Sequence, residues 1–82
     1  MTIFDRIEIN PKVMLGKPVI RGTRVTVELI VRKVSEGMDE KELLKGYPNL
    51  KKGDVAAALR YAADTIANEE TVVFEPVKDM AV

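Results

Sequence analysis

The segment 16–26 concentrates side chains that bind anions. It holds three cations, Lys17, Arg21 and Arg24, and it leads directly into a predicted helix. The free amides and the dipole at a helix N-terminus favour a negative group, so Arg21 and Arg24 predict a phosphate clamp on DNA, to which Thr23 and Thr26 add hydroxyl donors. It is not the G-x-x-x-x-G-K-[ST] loop of nucleotide-binding proteins, because Lys17 follows the first glycine rather than the second.

The same segment has a second interpretation, in which the arginines serve the fold. Arg21 and Arg24 would then pair internally with Glu8 and Glu28, and Gly22 would be present because glycine tolerates a positive φ angle. The sequence leaves both interpretations open.

Further cations follow along the chain. Lys51 and Lys52 are expected on a turn, where they would contact phosphates; the alternative is that they are simply solvated. Arg60 and Tyr61 fall on the outer positions of a third helix, with a half-buried place in the core as the alternative for Tyr61. In a helix-turn-helix protein the third helix would contact DNA. Here it also carries two aspartates, which repel phosphates, so this role is less well supported. The candidate DNA-binding residues are Arg21, Thr23, Arg24, Lys51, Lys52, Arg60 and Tyr61.

The composition excludes several kinds of chemistry. The 82 residues include no cysteine and no histidine, so disulfides, the usual zinc ligands and histidine-based catalysis are absent, and no metal, cofactor or enzymatic activity is expected. Net charge is zero but unevenly spread: residues 1–53 hold 11 cations and 7 anions, whereas residues 54–82 hold 2 cations and 6 anions. No stretch is long and apolar enough for a membrane span, which predicts a cytoplasmic protein.

Hydrophobic periodicity predicts a mainly helical domain with a small β arm. Ile7 to Ile9 alternates as a strand does, and the short apolar runs 13–15 and 19–20 suggest the rest of the arm. Three helices follow, at about 26–36, 40–45 and from 51 or 54 to 68, as in a helix-turn-helix unit. The caps are expected to be Thr26, Asp39 and Asp54. The expected core stripe of the third helix is Val55, Leu59, Ala62 and Ile66.

Residues 69–82 form a separate tail after the domain of residues 1–68. Val72, Val73, Phe74 and Val77 are more apolar than a solvated terminus needs, and acidic residues flank them. This pattern suits a segment that binds a basic partner protein. The alternative is that residues 72–74 add a strand to the chain's own β arm.

The order of residues resembles a known family. The segment Gly16-Lys17-Pro18-Val19-Ile20-Arg21-Gly22-Thr23-Arg24, followed by Glu36-Gly37, Tyr47-Pro48 and the run 54–62, is similar to the small prokaryotic family catalogued as domain of unknown function 433. The resemblance covers about residues 7–66. One difference is Lys51, which stands where the family usually has a threonine cap, so the third helix is expected to start later and to leave Lys51 and Lys52 on a flexible turn.

The resemblance implies a three-helix, homeodomain-like helix-turn-helix with an N-terminal β arm, and a role as antitoxin to a small PIN-like nuclease. The leading hypothesis is therefore a homodimeric, non-enzymatic protein that contacts operator DNA and neutralises a nuclease toxin. The alternative is a protein-interaction module with the same fold that does not bind DNA, which the acidic third helix would favour. The homodimer is expected because a core of this size is marginal alone.

Overall fold

The computed structural model describes residues 5–68, which form three helices and a two-stranded antiparallel sheet near the N-terminus. This confirms the prediction of a small, mainly helical domain with a β arm. The strands are β1 (Ile7–Glu8) and β2 (Val19–Ile20), and the helices are α1 (Val27–Ser35), α2 (Glu40–Gly46) and α3 (Asp54–Asn68).

The sheet is short and its register is fixed by buried side chains. Ile7 lies opposite Ile20, and both are buried, so the pairing of β1 with β2 brings two apolar side chains onto the core. The apolar run 13–15, which was expected to belong to the β arm, does not form a strand, so the arm is shorter than predicted. This run leads into a single 3₁₀ turn at Met14–Gly16, where the backbone carbonyl of Val13 accepts a hydrogen bond from Gly16.

The first two helices start where their caps predict. The Thr26 side chain accepts a hydrogen bond from the Leu29 amide at 3.0 Å, which satisfies one of the free donors of α1. At α2, Asp39 and Glu42 exchange hydrogen bonds of 2.9 Å between the side chain of each and the backbone amide of the other. Both ends are therefore set by local sequence.

The third helix differs from the prediction in two respects. Asp54 is its first residue rather than its cap, since the carbonyl of Gly53 accepts the first helical hydrogen bond, from Ala57. The buried stripe is also rotated: Ala58 is fully buried, whereas Leu59 and Ile66 are 37% and 67% exposed. Ala58 therefore takes the core position that the prediction gave to Leu59.

The core lies between the sheet and the three helices. Its buried apolar residues are Ile7, Val19, Ile20, Val27, Ile30, Leu43, Leu50, Val55 and Ala58. Over residues 5–68, no helix has the length and apolar character needed to span a membrane.

Candidate functional site

Two clefts adjoin, and cations line both. The first, of about 630 Å³, lies between the start of β1 and the α2–α3 connection; the second, of about 440 Å³, lies beside the β2–α1 turn. Asn49 lines both clefts, so they form one continuous surface. We call this surface the cationic face, and its charged members are Arg6, Arg21, Arg24, Lys51 and Lys52. The three carboxylates that share its lining are Asp5, Glu8 and Asp54.

Arg21 is partly committed to the fold, as the second interpretation expected, but through different partners. Its Nε donates to the carbonyl of Asp5 at 2.7 Å and its Nη2 donates to the carbonyl of Ile7 at 3.2 Å, so Glu8 is not its partner. These bonds tie the residue after β2 to the chain around β1. Gly22 follows with a φ of 82°, the positive value that this interpretation predicts.

The hydroxyl of Thr23 is also used within the fold. It donates to the carbonyl of Ile20 at 2.8 Å and accepts from the amide of Val25 at 2.9 Å, which closes the turn between β2 and α1. Because its proton is already donated, Thr23 shapes the turn that presents Arg24 rather than offering a free donor.

Three cations of the face make no polar side-chain contact within residues 5–68 that would have to break before they bind a ligand. Arg24, Lys51 and Lys52 are exposed, and their side chains have no hydrogen-bond or ion-pair partner within residues 5–68. Arg24 does not pair with Glu28, which corrects the other half of the internal-pairing interpretation. Exposed, unpaired cations on neighbouring turns attract a polyanion without first having to break internal contacts.

The turn that carries Lys51 and Lys52 is tightly held, in contrast to the flexible turn expected. The carboxylate of Asp54, only 4% exposed, accepts from the Lys51 amide at 2.7 Å and from Arg6 Nη1 at 2.8 Å. Arg6 Nη1 also donates to the carbonyl of Lys52 at 2.9 Å. From the other side, Glu40 accepts a hydrogen bond from the amide of Gly53 at 2.9 Å.

Two features favour glycine at position 53. Its φ of 95° lies in the region that residues with a side chain rarely adopt, and a Cβ there would lie 3.0 Å from Arg6 Nη1. The glycine therefore allows the arginine to cross the turn and reach both Lys52 and Asp54.

Arg6 is the member of the cationic face that sequence reasoning missed. It lies 48 residues from Asp54 and stands directly before a two-residue strand, so no local pattern links the two. The one available signal was Asp54 itself, because a carboxylate at the start of an apolar helix stripe needs a partner once it is buried.

The other two candidates, Arg60 and Tyr61, lie apart from the cationic face. Arg60 is exposed on α3 and lines neither cleft, while Tyr61 is half-buried against the core. Tyr61 lines an apolar groove of about 530 Å³ between α1 and the C-terminal half of α3, here called the α1–α3 groove. The groove is lined by Lys17, Pro18, Val27, Glu28, Val31, Arg32, Ser35, Tyr61, Ala62, Thr65 and Ile66.

Lys17 also lies at this groove rather than with the arginines of its segment. Its Nζ is 3.0 Å from Oε1 of Glu28, whose Oε2 is 3.3 Å from Nη2 of Arg32. The hydrogen bond and charge of Lys17, followed by those of Arg32, hold the pKa of Glu28 below its usual value of 4.5. The Lys17–Glu28 ion pair makes its full contribution to stability at pH values above the pKa that Glu28 has in the unfolded chain. That contribution is lost as the pH falls through the lower pKa that Glu28 has in the folded chain.

Replacing Lys17 by glutamine is expected to raise the pKa of Glu28 toward its usual value, because the largest cause of the depression is removed. A carboxyl-detected NMR titration measures this directly. The matched control is Lys12→Gln, which removes the same charge from the arm without touching Glu28. An unchanged Glu28 pKa in Lys17→Gln would show that the ion pair does not form in solution.

The apolar tail residues Val72, Val73, Phe74 and Val77 lie outside the described residues. Within residues 5–68, no group of three or more acidic, histidine or cysteine side chains is placed to hold a metal ion.

Fold and site together define a small helical domain whose short β arm helps to build a cationic face. The chain belongs to the family described as protein of unknown function (DUF433), whose model matches residues 7–62. This match includes every cation of the face except Arg6.

A solved structure supports the same assignment. The crystal structure of a DUF433 member protein from Anabaena variabilis has a TM-score of 0.71 to this chain and 36% sequence identity. The similarity covers 77% of this chain and 62% of that one, so the chain spans about three-fifths of the length of that relative. No curated protein matches the chain.

Proposed function

We propose that the cationic face binds the phosphate backbone of duplex DNA. The observation that carries the proposal is the presence of Arg24, Lys51 and Lys52 on neighbouring turns, exposed and without internal partners over residues 5–68. Hydrogen bonds from the amides of Val25 and Lys51 to side-chain oxygens hold both turns, so little backbone conformational entropy is lost when a polyanion binds.

The binding is expected to depend on phosphates more than on base edges. The outer side of α3 is rich in alanine and carries one cation, Arg60, so it offers few groups that hydrogen-bond to bases. The α2–α3 connection spans residues 47–53, longer than the three or four residues usual in a DNA-reading helix-turn-helix.

Titration of a labelled duplex of about 20 base pairs, followed by fluorescence anisotropy, tests the proposal. Affinity should fall linearly on a log–log plot of binding constant against salt, with a slope of about −0.9 for each phosphate contacted. Absence of binding at about 50 mM salt would contradict the DNA proposal. The function would then be better explained by the alternative, a protein-interaction module that does not bind DNA. The exposed Leu59 on the outer side of α3 favours that alternative.

The second part of the proposal is a binding role toward a protein partner, as an antitoxin to a small PIN-like nuclease. Its support is the family resemblance together with the apolar and acidic composition of residues 69–82. Co-expression with the product of the adjacent reading frame tests it: the two should co-purify, and Phe74→Asp should weaken the complex more than Val82→Asp. Both activities, DNA binding and toxin neutralisation, are non-enzymatic and belong in the cytoplasm.

The third part is a homodimer formed through the β arm. Leu15 has a φ of 60° and is 91% exposed, while its neighbour Met14 has a φ of 49°. A leucine in this left-handed conformation costs about 1–2 kcal/mol, and Leu15 buries almost nothing against the rest of residues 5–68. A partner surface that covers Leu15 would offset that cost.

Leu15→Gly is expected to weaken the dimer without unfolding the chain, because glycine adopts the positive φ freely and removes only an exposed side chain. Light scattering at micromolar concentration should report about twice 9.1 kDa for the wild type and a lower mass for the variant. Leu59→Ser, which alters an exposed leucine far from the arm in sequence, should remain dimeric. A monomeric wild type would contradict this part of the proposal.

A further inference from the structure

The α1–α3 groove is an apolar surface that the described residues leave open. Its floor includes Val27 and Val31 from α1, and Ala62 and Ile66 from α3. Ile66 is 67% exposed, although it lies on the side of α3 that faces α1. A large aliphatic side chain beside an open apolar groove indicates that another segment covers it.

The rim of the groove carries net positive charge. Lys17 and Arg32 flank it and share a single carboxylate, that of Glu28. A complementary segment therefore has apolar side chains for the floor and carboxylates for the rim.

The fourteen residues after α3 have this composition, and the end of the helix that precedes them lines the groove. The first of them, residue 69, follows Asn68 at the end of α3 and is three residues beyond Ile66 in the sequence. Their apolar residues Val72, Val73, Phe74 and Val77 are accompanied by four carboxylates and only one lysine. Residues 72–77 in extended form would reach about 20 Å, enough to follow α1, which is about 13 Å long.

We propose that the chain's own residues 72–77 occupy the α1–α3 groove when no other protein is bound. The tether makes this an intramolecular contact with a high effective concentration. The arm of a second copy fits the groove less well, because residues 7–26 contain four cations and one carboxylate, so it would place mainly like charges beside Lys17 and Arg32.

The consequence is competition between the groove and a protein partner. The tail residues that we assign to the nuclease partner would leave the groove before they bind it, so the groove lowers the apparent affinity for any partner of the tail. The experiments below need neither DNA nor a nuclease, so their failure would leave the proposed function standing.

A tryptophan placed in the tail tests whether it is covered. The native sequence has no tryptophan, so Phe74→Trp in the full chain gives a single reporter. Its emission should be blue-shifted and protected from acrylamide. Adding Ile66→Asp in the groove should remove the protection, whereas Leu59→Asp on the outer side of α3 should leave it unchanged. Emission typical of a solvent-exposed tryptophan in the parent chain would overturn the proposal.

Cross-linking tests where the tail lies. The chain has no cysteine, so Val73→Cys can be paired with one second cysteine at a time. An intramolecular disulfide should form at least about tenfold faster with Ser35→Cys, at the groove, than with Ile9→Cys on the arm or Ala56→Cys on α3. Fastest reaction with Ile9→Cys would mean that the tail extends the sheet instead. Disulfides that join two chains, identified with mixed isotope labels, would mean that a second copy fills the groove. Either result rejects the proposal.

Discussion

Replacing Arg24, Lys51 and Lys52 together by glutamine is expected to reduce the salt dependence of DNA binding by about 0.9 units of slope for each phosphate that is no longer neutralised. If three phosphate contacts are lost, we expect this variant to show the largest loss of DNA affinity of any substitution on the cationic face. The reason is that these three cations do not have to break internal contacts before they bind phosphate. The fold should survive, since none of the three side chains makes a hydrogen bond within the described part of the chain.

The matched control removes the same charge from elsewhere. Lys12, Lys41 and Lys45 are exposed cations that line neither cleft, so replacing them by glutamine changes net charge equally. If both triple variants reduce the slope equally, binding follows overall charge and the cationic face has no special role. Arg21 is left out of the test because it also holds β1 through two carbonyls.

Asp54→Ala is expected to lower the free energy of unfolding by about 2–3 kcal/mol, a large share for so small a domain. The substitution leaves the Lys51 amide without its acceptor and removes the carboxylate partner of Arg6, which keeps only its hydrogen bond to the carbonyl of Lys52. Weaker binding to DNA should follow even under conditions where the variant is fully folded, since the turn no longer holds Lys51 and Lys52 in place.

Urea unfolding measures the effect, with Asp64→Ala as the control. Asp64 lies on the same helix, is half-buried and makes no side-chain hydrogen bond within residues 5–68. Equal destabilisation by the two variants would show that the hydrogen bonds of Asp54 contribute nothing. Asp54→Asn should fall between Asp54→Ala and the wild type, because its amide oxygen keeps one acceptor for the Lys51 amide.

Local signals in the sequence were sufficient for the helices but not for the packing of α3. Thr26, Asp39 and Glu42 act within three or four residues of their own positions, so their hydrogen bonds can be predicted from spacing alone. The burial of Ala58 in place of Leu59 could not be predicted this way, because it depends on how closely α1 and α3 approach. A helical wheel shows which residues share a face but not how far that face is turned.

The cationic face was predicted in part, for the same reason. Lys51 and Lys52 stand out as adjacent cations beside a glycine, and Arg24 precedes a helix start, so each was found from its neighbours. Arg6 was missed because its role arises from hydrogen bonds to Lys52 and Asp54, more than forty residues away. The hydrogen bonds from Arg21 to two backbone carbonyls could not be predicted from the sequence either, because they depend on the pairing of β1 with β2.

The central claim is that the cationic face is the surface that meets DNA, and NMR mapping tests it most directly. Adding a duplex to the ¹⁵N-labelled full chain at low salt should shift amide signals in residues 21–24 and 49–53 more than any others of the domain. Those two turns are remote in sequence and adjoin only at the face, so joint shifts would identify it. Shifts confined to the outer side of α3 around Leu59 and Ala63, with both turns unchanged, would contradict the claim.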